Sequence, residues 1–248
     1  GIRDQPRSRG LGDVYKRQGE AEAALAVARL GLSCALFTAS YDTVALMSCN
    51  PAIGGLAKGQ LVREIDALGG QMGLATDAAM IQFRMLNTKK GVAVRSPRAQ
   101  CDRREYSAAM RRTIEAQPNL DLVQGLVVEI LADGGRVKGV VTREGARAHA
   151  KAVILAAGTF LRGRIFVGDV SYPGGRAGEP AADKLTDCLI RLGFQVARLK
   201  TGTPPRVDKK SLDFSRMKRQ DGDPVIVPFS FDHESLDIEQ VPCWVTYT

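Results

Sequence analysis

Residues 47–55 read Met47-Ser48-Cys49-Asn50-Pro51-Ala52-Ile53-Gly54-Gly55, which sets a thiol, an Asx-Pro turn and two glycines just ahead of a periodic segment. Leu61, Ile65 and Leu68 recur at helical spacing, and Gly69-Gly70 ends the pattern. Unused N–H groups at a helix start attract anions, and glycine lets a ligand approach the backbone. The same local field favours thiolate. The run therefore suits a polar binding loop, with Cys49 as candidate nucleophile and Asn50 beside it. It equally suits a small buried thiol in an ordinary loop, the commoner fate of an isolated cysteine.

The elements that would hold such a loop follow from apolar periodicity. Residues 21–30 form an Ala-rich helical pattern ended by Gly31, and residues 33–38 a short apolar strand. Helix then strand is the second half of a βαβ dinucleotide-binding unit. Residues 121–131 and 136–143 alternate and are joined by Asp133-Gly134-Gly135, a hairpin signal; residues 146–151 add a third meander strand. Residues 152–157 are wholly apolar, suit a buried parallel strand and end in Gly158-Thr159. A glycine-rich, basic stretch follows. Leu185, Cys188, Leu189 and Leu192 then mark one side of a helix over residues 181–192. The prolines of Thr201-Gly202-Thr203-Pro204-Pro205-Arg206 fix a rigid turn. Beyond it the chain is polar, with strand-like pieces at 225–231 and 241–247. The expected organisation is α/β: a Rossmann-like domain over residues 19–205 and the start of an inserted β-rich domain over 206–248. Residues 1–18 contain no apolar strand, helical period or signal-peptide core and read as a non-native leader.

Composition narrows the function classes. The chain has 248 residues, 44% hydrophobic and 25% charged, as expected of a folded protein with a sizeable core. No apolar run reaches the length of a membrane-spanning helix, so no membrane role is expected. Five scattered cysteines and two histidines give no metal-ligand spacing and no disulfide framework, so no metal is expected and a reducing cytoplasm fits best. The net charge of +8 is concentrated: residues 84–112 carry +7, through Arg84, Arg95, Arg103, Arg104 and five further basic residues. Clustered positive charge attracts a polyanion, although a solvated helix face would have the same composition. Tyr106, Met110 and Ile114 form a helical stripe that leaves these arginines on other faces.

The loop motif, followed by Lys58-Gly59 and Leu61-Val62-Arg63-Glu64-Ile65-Asp66-Ala67-Leu68-Gly69-Gly70, resembles the glucose-inhibited division protein A family (GidA, or MnmG), the flavin-dependent tRNA uridine 5-carboxymethylaminomethyl modification enzymes. The resemblance continues through Ile81-Gln82-Phe83-Arg84-Met85-Leu86-Asn87, Val94-Arg95 and Arg98-Ala99-Gln100. It returns at Ala157-Gly158-Thr159-Phe160-Leu161, at Gly174-Gly175-Arg176-Ala177-Gly178, along residues 198–206 and at Val241-Pro242-Cys243. It spans about nine-tenths of the chain with motifs in family order. It implies a fold of the FAD/NAD(P)-binding, glutathione-reductase type. Because family members are considerably longer, it also implies an N-terminal fragment.

The resemblance implies FAD as cofactor, NADH as reductant and methylenetetrahydrofolate as one-carbon donor, acting on carbon 5 of a wobble uridine in tRNA. Carbon 5 is a poor nucleophile. A thiolate adding at carbon 6 would activate it, and the resemblance implies Cys49 as the catalytic thiol, whether by attacking the base in this way or by acting as acid or base. It further implies FAD contacts at Gly158, Thr159, Val127 and Ala182, the last where the family often has serine. The family's glycine-rich pyrophosphate turn falls on residues 15–20, which hold only Gly19, out of register. Lys58, Arg84, Arg95, Arg103 and Arg104 are candidates for phosphate or RNA contact, with ordinary surface charge as the competing reading. A GTPase partner of the MnmE type and a homodimer are also implied. Two other readings stay open: a non-catalytic tRNA-binding fragment, and another FAD/NAD-dependent oxidoreductase. A disulfide reductase would need a paired cysteine motif that the chain lacks.

Overall fold

The computed structural model of the chain describes residues 18–47, 50–202 and 204–247. In chain order the elements are α1 (Gln18–Arg29), β1 (Cys34–Thr38), β2 (Ala52–Gly54), α2 (Gly59–Ala67), α3 (Met72–Ala79), β3 (Met80–Leu86), β4 (Ser96–Cys101) and α4 (Arg103–Ala116). Then come β5 (Leu120–Gln124), β6 (Val127–Asp133), β7 (Arg136–Thr142), β8 (Arg147–His149), β9 (Arg164–Val167), β10 (Val170–Pro173), α5 (Asp183–Arg191), β11 (Lys218–Gln220) and β12 (Cys243–Val245). The described residues within 1–48 and 114–201 form one compact unit, and those within 49–113 and 202–248 the other.

In the first unit α1 feeds β1 through a turn at Gly31, whose φ of +80° suits a residue without Cβ. Ala21, Ala24, Leu25 and Ala28 are buried, so the helix is held by one small-residue face. β1 pairs parallel with β5, Cys34 opposite Leu120 through Thr38 opposite Gln124. β6, β7 and β8 form the antiparallel meander, turning at Gly134 and Gly135, both with positive φ. α5 packs Leu185, Cys188 and Leu189 against Ile130 of β6. The Ile130 N–H donates to the Cys188 sulfur at 3.3 Å. Leu192, expected on that buried side, is instead 40% exposed beyond the helix end.

Residues 152–157 differ from the expected buried strand. They form no described strand, and Ile154 and Leu155 are 65% and 42% exposed. A strand is defined by its ladder, and none of the described strands pairs with this run.

The second unit is built on the antiparallel sheet β2-β4-β3. Residues 52–54 are therefore strand, not open loop, and Ala52 and Ile53 are buried. Gly54 and Gly55 have φ of +80° and +93°. A Cβ on Gly54 would lie 2.2 Å from the Pro97 carbonyl oxygen and 2.8 Å from the Phe229 ring. This glycine admits neighbouring protein rather than a ligand.

The chain divides differently from the contiguous 19–205 and 206–248 expected, because residues after 202 are stitched onto β3. The Asp223 N–H donates to the Phe83 carbonyl and the Val241 N–H to the Ile81 carbonyl, both at 2.8 Å. Gln82 Nε2 donates to the carbonyls of Gln220 (3.0 Å) and Val241 (3.1 Å), and Gln240 Oε1 accepts from the Phe83 N–H at 2.8 Å. Residues 225–231 are not a strand. Asp77 Oδ1 and Oδ2 accept from the Phe229 and Ser230 N–H groups at 2.7 and 2.9 Å, and Asp66 Oδ2 from the Phe231 N–H at 2.7 Å. Those carboxylates satisfy backbone groups that a ladder would otherwise serve. In α4, Tyr106, Met110 and Ile114 are fully buried, as the helical stripe requires.

Candidate functional site

The first unit contains a cavity of about 1520 Å³. Its walls come from the inner face of α1, from β1, from the start of β6, from β7 and β8, and from residues 148–157. The lining is mostly alanine and aliphatic side chains, with Glu20, Arg136, Lys138 and Lys151 as charged members. The Gly125 N–H donates to the Thr38 carbonyl at 2.8 Å, so the Gly125–Val127 corner lies at the carboxyl end of β1. In open α/β sheets that end is where a nucleotide finds backbone groups and short side chains.

Two of the sequence-predicted cofactor residues line this cavity. Val127 opens β6, and Ala182, only 3% exposed, sits at the start of α5 and donates its N–H to the Phe160 carbonyl at 2.7 Å. Gly158 and Thr159 directly follow the lining residue Ala157. Gly158 has φ +54° and is exposed, so the turn needs its lack of Cβ. The Thr159 hydroxyl is already engaged, donating to the Gly175 carbonyl at 2.7 Å. Gly19 lies in the first turn of α1, where a Cβ would meet nothing within 4 Å, so its glycine character is not required there. Sequence reasoning missed Gly125, a lone glycine between two strand patterns. A Cβ there would come to 3.1 Å from Thr142, which is the signal a tight corner leaves.

Cys49, the candidate nucleophile, lies outside the described residues. Asn50 next to it is exposed. Lys58 is half-buried and precedes α2, where the Lys58 and Gly59 N–H groups already donate to the Gly55 carbonyl at 3.0 and 2.9 Å. Two of the N–H groups expected to attract an anion there are thus internally satisfied. Two other cysteines of this unit fit the role poorly. Burial, reinforced by Asp77 and Asp102, pushes the Cys101 thiol up to about 12, which keeps it protonated. Cys243 donates its S–H to Gln82 Oε1 at 3.2 Å.

The basic stretch separates into engaged and open members. Arg84 is half-buried, stands opposite Arg98 across the β3–β4 ladder, and has Nε 3.9 Å from Asp223 Oδ1. Arg95 is exposed, with its carbonyl accepting from Gln60 Nε2 at 3.0 Å. Arg103 and Arg104 open α4, half-buried and exposed respectively. Asp102 caps that helix, its Oδ1 accepting from the Arg104 and Glu105 N–H groups at 2.8 and 3.1 Å. Any anion there would meet arginine side chains and not the helix end. The half-exposed His233 places Nδ1 2.9 Å from the buried Asp77 carboxylate, a pairing across 156 residues that no sequence pattern announces. Among the described residues no group of three or more His, Cys, Asp or Glu side chains could hold a metal ion, and no helix is long and apolar enough to cross a membrane.

Comparison with known proteins gives a consistent result. Residues 19–248 match the family described as "Glucose inhibited division protein A". The chain is 58% identical over 227 residues to the tRNA uridine 5-carboxymethylaminomethyl modification enzyme MnmG of Caldicellulosiruptor saccharolyticus, covering 92% of this chain and 36% of that relative. To the enzyme of the same name from Geobacter sulfurreducens it is 56% identical, with the same coverage. Among solved structures, Aquifex aeolicus GidA superimposes with a TM-score of 0.87 at 49% identity, over 91% of this chain and 38% of that one. The GidA-related protein of Thermus thermophilus gives a TM-score of 0.52 at 27% identity, over 71% of this chain and 64% of that one. The chain thus spans about a third of the length of the curated relatives it matches.

Proposed function

The chain belongs to the glucose inhibited division protein A family, and from that membership we propose that it carries the FAD-binding and tRNA-facing part of a wobble-uridine modification enzyme. The observation that carries this reading is the cavity at the carboxyl end of β1, lined by both Val127 and Ala182. The residues present fit the adenine side of a dinucleotide. Short side chains at Ala156 and Ala157 and the glycine corner at Gly125 let backbone groups approach a ring and a ribose. FAD, when bound, supplies two-electron redox chemistry. NADH and methylenetetrahydrofolate are the reductant and one-carbon donor under this reading.

The chain's own residues have separate tasks. Val127 and Gly125 present backbone, the Ala157-Gly158 turn keeps space open, and Thr159 holds that turn against Gly175. Cys49 is the thiol that adds to the uridine ring, a role for the thiolate form. Arg95 and Arg104 are exposed and take tRNA phosphates, with Arg103 beside them. Arg84, half-buried with its Nε 3.9 Å from Asp223 Oδ1, faces β3's neighbours more than it reaches RNA. Assembly as a homodimer and with an MnmE-type GTPase belongs to the same reading.

The test is direct. The purified chain is mixed with FAD and with unmodified tRNA, and visible absorbance and RNA retardation are recorded. The reading predicts retained yellow colour together with salt-sensitive tRNA binding. tRNA binding without flavin would assign the chain to RNA binding alone, and neither would overturn the proposal.

A further inference from the structure

The antiparallel sheet β2-β4-β3 has two unlike faces. Residues opposite one another across a ladder share a face, and successive rows alternate between faces. Ile53, Ala99 and Phe83 form one such row, and all three are fully buried, so they belong to the core face. The rows on either side of it belong to the other face. One holds Gly54, Arg98 and Arg84, the other Ala52, Gln100 and Gln82. Arg84, Arg98 and Gln100 are half-buried there.

Two like charges directly opposite each other weaken a sheet. Asp223 offsets only part of this pair. Its Oδ1 stands 3.9 Å from Arg84 Nε, beyond hydrogen-bond reach, while its Oδ2 accepts from the Met85 N–H at 2.6 Å. Arg84 Nε is buried and makes no hydrogen bond among the described residues. Among those residues the Arg98 guanidinium and the Gln100 amide also have no hydrogen-bond or ion-pair partner. Gln82 differs from its neighbour. Its Nε2 donates to the Gln220 and Val241 carbonyls, and its Oε1 accepts from the Cys243 S–H.

The surroundings leave room at these donors. β2 contributes only Gly54 and Ala52 to the two rows, so no long side chain of that strand covers Arg98 or Gln100. The Arg98 stem passes Gly55, where a Cβ would lie 4.0 Å from Arg98 Cδ. A guanidinium presents a planar fork of N–H donors that matches two oxygens of a carboxylate or a phosphoryl group. Two such forks in one row, with an amide two residues along β4, make a donor set that the described residues do not match with acceptors. Half-buried on a sheet face, the set suits a compact group, whereas Arg95 and Arg104 are exposed and suit an RNA backbone.

We infer that Arg84 and Arg98, with Gln100 beside them, form a binding subsite for a small oxyanion, the terminal carboxylate or phosphoryl group of a small molecule. The inference is independent of the flavin reading, because all three residues belong to the unit built on β3 and not to the unit that contains the cavity.

The probes are inorganic phosphate and malonate, each titrated calorimetrically into the 248-residue chain at an ionic strength held constant with sodium chloride. Saturable binding of at least one is expected. Phosphate alone would assign the subsite to a phosphoryl group and malonate alone to a carboxylate. Arg84→Gln and Arg98→Gln should each weaken that binding by about tenfold or more. In chloride alone, the urea midpoint of Arg98→Gln should equal or exceed that of the wild type, because a like-charge contact is removed. Absence of saturable binding by both anions would overturn the inference, as would affinity unchanged in both variants. A lowered midpoint for Arg98→Gln would make that arginine a structural residue and would equally overturn it. So would variants that lose tRNA affinity while binding the small anions as the wild type does, which would hand the pair to RNA.

Discussion

The two units solve the same problem, covering the backbone of a small sheet, in opposite ways. The unit around β1 relies on regular elements: a small-residue helix face, a parallel pair and a meander, with hydrogen bonds mostly inside ladders. Where the pattern is interrupted, at residues 152–157, nothing among the described residues compensates and aliphatic surface stays exposed. The unit around β3 uses carboxylates and amides instead. Asp66, Asp77, Gln82, Asp223 and Gln240 each bond backbone groups 138 or more residues away or, for Gln240, both near and far. A ladder tolerates loss of an apolar side chain at its open edge. A buried carboxylate clamp does not tolerate loss of its oxygen atoms, because backbone donors are then stranded away from water.

That contrast can be broken by substitution. The largest effect is expected for Asp77→Ala, which strands the Phe229 and Ser230 N–H groups and the His233 ring. At roughly 1–3 kcal/mol for each buried unsatisfied donor, the two N–H groups alone predict a loss of about 2–6 kcal/mol, read as a lower urea midpoint. A wild-type midpoint would remove the clamp from the stability of this unit. Gly54→Ala comes next: its Cβ meets the Pro97 carbonyl at 2.2 Å on a backbone with φ +80°, so a loss of about 1–3 kcal/mol or more is expected in the same measurement. Ile154→Lys sits at the other extreme, with a change within about 0.5 kcal/mol, because the side chain is already largely exposed.

Between these lies a pH effect. The Cys101 thiol is raised to about 12 in the fold, so the native state keeps a proton that the unfolded chain releases from about pH 8.5 upward. The native state binds more protons in that window, and stability must fall as pH rises from about 9 towards 12. The urea midpoint of the wild-type chain should drop more steeply there than that of Cys101→Ala. Equal slopes would mean the thiol is not shielded. On the RNA side, Arg103→Glu with Arg104→Glu should weaken tRNA binding and flatten the dependence of log affinity on log salt by about one to two. An unchanged slope would return both arginines to ordinary surface charge.

The legible part of the sequence was the part governed by period. The helices of residues 18–29, 59–67, 103–116 and 183–191, the strand β1 and the meander with its Gly134-Gly135 turn all follow from spacing and turn chemistry. Residues 152–157 were legible as apolar but not as unpaired, because a ladder partner is not encoded locally. The 225–231 stretch has the composition of a strand but is held by carboxylates from residues 66 and 77, distant pairings that alternation cannot report. The glycines of the Cys49 motif announced close approach, yet not by what: at Gly54 the neighbour is the Pro97 carbonyl. Val127 and Ala182 both line the cavity, a position that residue type does not announce, since valine and alanine carry no chemical signature of a ligand contact.

Hydrogen–deuterium exchange with and without saturating FAD, on the purified chain, tests the central claim that the carboxyl end of β1 receives the cofactor. The account predicts slowed exchange confined to the Gly125–Val127 corner and the turn at residues 156–159, with β3 and β4 unchanged. Protection that appears only in the β3–β4 unit, or no protection at any FAD concentration, would contradict it.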